Sequence, residues 1–292
     1  MKKILGLVLV LILATGGTRA EETLTLGTLN FMGVNPVLAR WTAFTEYLSE
    51  HSGQKIKLVP IHIAAMLHRA GQLDVILTQP VLAVTILHQG KHERIATLNH
   101  AKQGAQFAGV IIVPVDSDIT DLTGLAHKRV AVVDKQYAAG GYLFQAYELV
   151  KAGLVPDKDF DQFVIVPNQH HIVRWVSTKR VDAGFVRTGM LSDMREQGFD
   201  LSRIRILNEH NSLIGYPRST PVYPHWALLV LKTLPAETKA KMQQAVLNLT
   251  PDQAVSVKAK INGFIPPASY EPVKQLMRAL KVPPFGPDDA SR

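Results

Sequence analysis

Residues 69–78 read RAGQLDVILT, and residues 177–186 read STKRVDAGFV. Each runs from the end of a helical stretch through an aspartate into a short strand. The first strand leads into Thr78-Gln79-Pro80 and the second into Arg187-Thr188-Gly189. DVILT is a continuous apolar run, the pattern of a strand covered on both faces in a parallel sheet. Asp74 and Asp182 occupy matching places. The two stretches are either equivalent parts of two similar lobes or two ordinary α/β units that look alike. If they are equivalent, ligands of open parallel sheets sit outside the carboxyl ends of the strands, so facing lobes bring both polar segments into one cleft.

Helix and strand alternate outward from here. Upstream, LTLGTL (24–29) alternates as a strand. Residues 36–50 place Leu38, Trp41, Phe44 and Leu48 at helical spacing behind Asn35 and Pro36. KIKLVPI (55–61) is a strand, and residues 64–71 and 80–89 are helices. Downstream, QFAGVIIVPV (106–115) and KRVAVV (128–133) are strands, and residues 140–152 form a helix closed by Gly153 and Pro156. A strand over 163–166, a helix over 170–178 and a strand over 183–186 complete a second βαβα set. Strands over 204–207 and 225–231 and helices over 236–249 and 270–280 follow. The class is α/β, with a parallel or mixed sheet and helices on its faces.

The first twenty residues read as an address. Lys2 and Lys3 precede the apolar run ILGLVLVLILA (4–14), and the small residues Thr18 and Ala20 precede Glu21. Eleven helical residues span roughly 16 Å against a hydrocarbon core of about 30 Å, so the run fits a cleaved signal peptide (1–20) better than an anchor. No later run of eighteen apolar residues occurs, and the mature chain is expected to be exported with no integral membrane segment.

Composition excludes several classes. The 292 residues are 47% hydrophobic and 19% charged, which rules out wholesale disorder. Cysteine is absent, which removes disulfides, thiolate metal sites and Cys nucleophiles. The net charge is +8. Loss of Lys2, Lys3 and Arg19 takes the basic count from 32 to 29 against 24 acidic residues, leaving +5. The basic residues are scattered, so nucleic acid is not the expected partner and a small anion is.

No G-x-S-x-G, P-loop, H-E-x-x-H or G-x-G-x-x-G motif occurs. Asp116-x-Asp118 lacks the glycine and closing glutamate of a calcium loop and reads as a turn. The eleven histidines lack carboxylate partners at ligand spacing, so neither a metal nor another cofactor is expected. Ligand chemistry is suggested instead by helix starts. Ala139, Gly140, Gly141 and Tyr142 follow a strand and expose backbone N–H groups suited to an anion, or form a plain glycine-rich turn. Gln169 and His170 open the next helix, as a site element or a polar surface start. Arg187 and Thr188 follow a strand directly; the guanidinium grips an oxyanion or forms an interlobe ion pair. Tyr216 and the run Tyr223-Pro224-His225-Trp226 wall a site or pack the core.

On these residues the chain resembles the PhnD-like family of phosphate, phosphite and phosphonate periplasmic binding proteins, which have the type II solute-binding fold. It is especially similar to the branch forming the sensor region of tetrathionate-sensing histidine kinases. The matching pieces include LTLGTLNF (24–31), DVILTQP (74–80), GGYLFQAYELVKAG (140–153), DAGFVRTGML (182–191), YPHWALLVL (223–231) and GFIPPASYEPVKQLMRALKVPPF (263–285). The resemblance implies two α/β lobes, each a mixed sheet with flanking helices, joined by a two-strand hinge. Lobe 1 takes 21–105 and 209–292, and lobe 2 takes 106–208. Asn30, Phe31, Thr78 and Gln79 are expected from lobe 1, facing Arg187, Thr188 and the 139–142 amides. The family commonly shows Thr-Asn-Pro at 78–80, a serine before the Gly-Gly-Tyr stretch, and His-Asp at the third helix start. This chain has Thr78-Gln79-Pro80, Tyr137-Ala138-Ala139 and Gln169-His170-His171 there. The implied function is a monomeric periplasmic binding protein that captures a small oxyanion, of phosphorus or of sulfur, without catalysis. It presents that ligand to an ABC permease or a membrane sensor kinase. An exported enzyme on the same fold and a zinc-binding protein are the alternatives.

Overall fold

The computed structural model describes residues 23–210 and 215–286. The signal-peptide reading of 1–20 lies outside the described residues. The first half of the chain begins with β1 (Leu24–Leu29), α1 (Val34–Ser52), β2 (Ile56–Ile61), α2 (Ile63–Ala70), β3 (Val75–Thr78), α3 (Pro80–His88) and β4 (His92–His100). The chain then crosses through β5 (Gln106–Phe107) into β6 (Gly109–Pro114), β7 (Arg129–Val132), α4 (Phe144–Lys151), β8 (Gln162–Ile165), α5 (Gln169–Ser177), β9 (Ala183–Arg187), α6 (Met190–Glu196) and β10 (Ile204–Leu207). It returns through β11 (Tyr223–Pro224) to β12 (Ala227–Leu231), α7 (Ala236–Leu247), α8 (Ala254–Ala259), β13 (Ile261–Ile265) and α9 (Glu271–Ala279).

Two sheets result, the six-stranded β13-β4-β12-β3-β1-β2 and the five-stranded β10-β6-β9-β7-β8. The first has a parallel core, β2-β1-β3, with β12 antiparallel beside it. The second repeats the plan as β8-β7-β9, with β6 antiparallel. Asp74 and Asp182 therefore stand at equivalent points, each heading the strand beside the first strand of its unit. Both do the same work. Asp74 Oδ2 accepts the Thr25 N–H and hydroxyl, each at 2.8 Å, at the start of β1. Asp182 Oδ2 accepts the Arg129 N–H at 2.8 Å at the start of β7. A carboxylate that takes an N–H at the start of a strand satisfies a donor the ladder leaves free and ties two neighbouring strands together where their pairing begins. The echo is thus a repeated device, and the chain is two-lobed.

A third, two-stranded sheet pairs Phe107 with Tyr223 and Gln106 with Pro224. It is the hinge between the lobes. The single strand expected over 106–115 is broken at Ala108, whose N–H turns to the Thr188 hydroxyl at 3.1 Å. The strand expected over 225–231 likewise begins at Ala227, because the Trp226 N–H is held by His225 Nδ1 at 2.9 Å. Helix α1 buries Val37, Trp41, Phe44 and Leu48 in the first sheet's core, whereas Leu38 is exposed. The stripe is one residue off the expected one at its start. Each such side chain contributes about 1.5–3 kcal/mol on burial. The helix expected from Gly140 opens instead with a wide π-type turn, Ala139–Leu143. No helix among the described residues is long and apolar enough to cross a membrane.

Candidate functional site

The carboxyl ends of the parallel strands in both sheets open on a cavity of about 280 Å³. Leu29 at the end of β1, Gln79 just after β3, Val133 just after β7 and Arg187 at the end of β9 all line it. Around these, Phe31, Trp41, Phe107 and Trp226 build a largely aromatic wall, with Phe31 edge-on to Trp226 at 6.2 Å.

Eight of the residues singled out in the sequence come together here: Phe31, Gln79, Ala139, Gly140, Gly141, Gln169, His170 and Arg187. Five do not reach the lining. Asn30 and the fully buried Thr78 stay off it, and among the described residues Asn30 Oδ1 and the Thr78 hydroxyl have no hydrogen-bond partner. Tyr142 turns into its own lobe, edge-on to Phe163 at 5.3 Å. The Thr188 hydroxyl is spent on Ala108, and its carbonyl accepts from Gln103 at 2.7 Å. Tyr216 stands outside, half-exposed, in the field of Lys102.

Gln79 is doubly used. Its Oε1 accepts the Val81 N–H at 2.8 Å and caps α3. Its Nε2 donates to the Tyr137 carbonyl at 2.8 Å, in the other lobe. The start of α5 is also capped, since Asn168 Oδ1 accepts the His170 and His171 N–H groups at 3.1 and 3.3 Å. By contrast, among the described residues no side chain caps the turn at Ala139–Leu143. The first amides of such a turn carry partial positive charge and are open to an anionic oxygen. Two glycines let the backbone approach. A Cβ on Gly140 would stand 2.9 Å from the Phe107 ring and 3.2 Å from Arg187 Cβ, and one on Gly141 would stand 2.9 Å from Gln169 Nε2.

Arg187 does not stand free. Its Nη2 donates to Asp193 Oδ2 at 2.7 Å and its Nη1 to the Thr188 carbonyl at 2.8 Å. Lys102 lies 3.7 Å from Asp193 and bonds Glu196 at 2.5 Å. Burial pushes the Asp193 carboxyl up, but Arg187 and Lys102 outweigh it and hold it below the usual range. Three histidines also line the cavity. Burial, then Arg40 and Arg187, brings His100 down to about 3. Burial, then Arg187 and Arg174, lowers His170. Burial, with His100 and the two arginines, puts His225 well below its ordinary value. All three are neutral at neutral pH. Among the described residues, no three His, Asp or Glu side chains converge as metal ligands.

The sequence reading missed Arg40 and His100 as lining groups, whereas His225 and Trp226, which it left between site wall and core packing, both line the cavity. Arg40 projects from α1 beside the buried Trp41, its Nε donating to the Ala259 carbonyl at 2.8 Å. Only the long-range packing of α1 on α8 brings it to the cavity, and no local pattern marks that. His100 ends β4, whose alternation is obscured by His92, Glu93, Arg94 and Asn99.

The model of the periplasmic substrate-binding proteins of phosphonate ABC transporters matches residues 32–270. The chain is 26% identical over 272 residues to the tetrathionate sensor histidine kinase TtrS of Salmonella typhimurium, covering 90% of this chain and 44% of that protein. It therefore spans less than half the length of that relative. Its fold is similar to that of a binding-protein component of an ABC phosphonate transporter from Pseudomonas aeruginosa (TM-score 0.71, 17% identity, 89% of this chain and 87% of that one). It is also similar to PhnD1 from Prochlorococcus marinus in complex with methylphosphonate (TM-score 0.69, 18% identity, 88% and 98%). At these identities the likeness is one of fold.

Proposed function

Because the chain belongs to the family of periplasmic substrate-binding proteins of phosphonate ABC transporters, we propose that it captures a small oxyanion of phosphorus or sulfur between its lobes. The lobes are assigned as 21–105 with 209–292, and 106–208. The protein is exported to the periplasm after cleavage behind Ala20 and performs no covalent step on its ligand. The closed complex is then read by a membrane partner, either an ABC permease or a sensor kinase. Likeness to the TtrS sensor favours detection.

One observation carries this reading. The uncapped, glycine-rich turn at Ala139–Leu143 and the Arg187 and Arg40 side chains border one cavity at the strand ends of both sheets. Amides and guanidiniums are donors only, so the cavity suits a ligand rich in acceptors. The magnitudes are adequate. Three to five charge-assisted hydrogen bonds at about 1.5–3 kcal/mol each give roughly 5–15 kcal/mol gross. A net of about 8 kcal/mol after ordering and closure corresponds to micromolar affinity.

The test is calorimetry on the purified mature protein with phosphate, phosphite, methylphosphonate, sulfite, thiosulfate, tetrathionate and sulfate. At least one is expected to bind with micromolar affinity. Heat with none of them refutes the oxyanion reading. Deletion of a neighbouring permease or kinase gene, followed by uptake and reporter assays, separates transport from detection.

A further inference from the structure

Resting on the oxyanion reading above, we infer that Arg40 sets the charge of the bound solute, and that the cleft takes an anion of one net negative charge with an apolar body. The argument is a charge balance. Arg187 and Lys102 face Asp193 and Glu196, two cations against two carboxylates, joined by contacts of 2.7, 3.7 and 2.5 Å. That set is neutral as it stands. Arg187 still offers directed N–H groups, but its charge is already answered.

Arg40 is the cation left over. It lines the cavity, and among the described residues no carboxylate pairs with it. Its Nε is tied to the Ala259 carbonyl at 2.8 Å and its Cζ lies 4.7 Å over the Trp41 ring, so the side chain is held in place. Burial, then Arg187, outweighs the through-space pull of Asp193 and lowers it to about 10, and it remains charged at neutral pH. The histidines add donors without adding charge. His225 Nδ1 accepts the Trp226 N–H at 2.9 Å, and His100 Nδ1 accepts the Lys102 N–H at 3.2 Å. In each neutral ring the proton is therefore on Nε2. The two rings stack at 5.5 Å.

A closed cleft with one unanswered positive charge is best matched by one negative charge. A second would be buried without a partner, which low-dielectric surroundings penalise heavily. The aromatic wall sets the other half of the preference. Phe31, Trp41 and Trp226 offer faces rather than donors, apart from the indole N–H groups. An anion with oxygens in every direction leaves some of them unpaired there, whereas a methyl or larger apolar group fits.

Methanesulfonate and methylphosphonate have the same shape. In mildly alkaline buffer the first carries one charge and the second nearly two. Calorimetry with both on the mature protein is the test. We expect methanesulfonate to bind at least tenfold more tightly than methylphosphonate. Arg40→Gln is expected to cost methanesulfonate at least tenfold, whereas Arg40→Lys keeps the order of preference. Asp193→Asn adds one positive charge to the cleft and is expected to move the preference toward methylphosphonate, a change that loss of packing would not produce. Equal or tighter binding of methylphosphonate by the unmodified protein overturns the inference. So does an Asp193→Asn protein with an unchanged preference, or binding of sulfate or phosphate with neither methyl probe. These outcomes leave the oxyanion reading standing. Silence from every anion removes both.

Discussion

Replacing Gln79 by alanine removes two hydrogen bonds of different kinds, and their consequences can be separated. The bond from the Val81 N–H to Oε1, at 2.8 Å, caps α3 within lobe 1. Loss of a side-chain cap costs about 0.5–2 kcal/mol. For a chain of this size that lowers the melting temperature by about 1–8 °C. The bond from Nε2 to the Tyr137 carbonyl, also 2.8 Å, exists only when the lobes are together. Its net worth is about 0.5–1.5 kcal/mol, which shifts the open–closed equilibrium about two- to twelvefold toward open. Any ligand that needs the closed form then binds more weakly by up to that factor. Gln79→Ser isolates the second effect, because serine caps a helix but is too short to cross the cleft. The assay pairs calorimetry with the tightest anion of the panel and small-angle scattering of the empty protein. Both variants should bind more weakly, by at most about twelvefold, and be more extended when empty, while only the alanine variant melts early. A serine variant with unchanged affinity and unchanged radius of gyration would refute the latch.

Arg187→Ala should weaken binding at least tenfold in the same calorimetry. It should also destabilise the fold by about 1–3 kcal/mol in urea, because Asp193 and the Thr188 carbonyl lose their partner. Gly140→Ala brings a Cβ within 2.9 Å of the Phe107 ring, and a methyl forced into packed surroundings costs about 1–3 kcal/mol; unchanged urea stability and affinity would show that the turn has room to spare. His100 titrates at about 3 in the folded protein against about 6.5 unfolded. Its lowered value means that the unfolded chain binds the proton first. Stability is therefore fully present above about pH 6.5 and falls as pH drops from there toward 3, by up to about 1.4 kcal/mol per pH unit for one such group. Urea melts at neutral and mildly acid pH should show this slope reduced in His100→Gln. N-terminal sequencing of the exported protein should begin at Glu21.

The strands were legible where both faces are covered. DVILT, KRVAVV and AGFV are apolar runs with β-branched residues, and each appears within a residue or two of its expected place. β4 was missed for the opposite reason. His92, Glu93 and Arg94 interrupt its apolar run, yet His92 is buried because its Nε2 finds the Leu73 carbonyl at 2.9 Å. A polar residue in a core strand is invisible to a hydrophobic pattern when tertiary structure supplies its partner. The cavity lining followed the same division. Strand-end residues such as Gln79 and Arg187 could be named because topology dictates where strands end. Arg40 could not, because its position depends on how α1 seats on α8. Nor could the spending of Gln79 and Thr188 on protein partners, which requires knowing what lies across the cleft.

The hinge explains how such a cavity communicates with the rest of the molecule. Only two residue pairs hold β5 to β11, and Pro224 brings no N–H to the ladder. A ribbon this thin bends at little cost in broken backbone bonds. What stiffens it is aromatic. Phe107, in β5, lies 5.2 Å from Phe144 and 5.1 Å from His225, and Tyr223, in β11, stacks on Phe144 at 4.0 Å. Phe144 belongs to lobe 2 and His225 leads into lobe 1, so these rings bridge both lobes at the pivot. Phe107 also lines the cavity and sits against Gly140. On the proposed function, a solute packed on its ring would press directly on the ribbon that joins the lobes. Close-packed rings of this kind move between discrete arrangements and do not deform smoothly. On the proposed function, the signal that a ligand has bound would leave through this pivot as a change of lobe angle, the quantity a membrane partner touching both lobes could read.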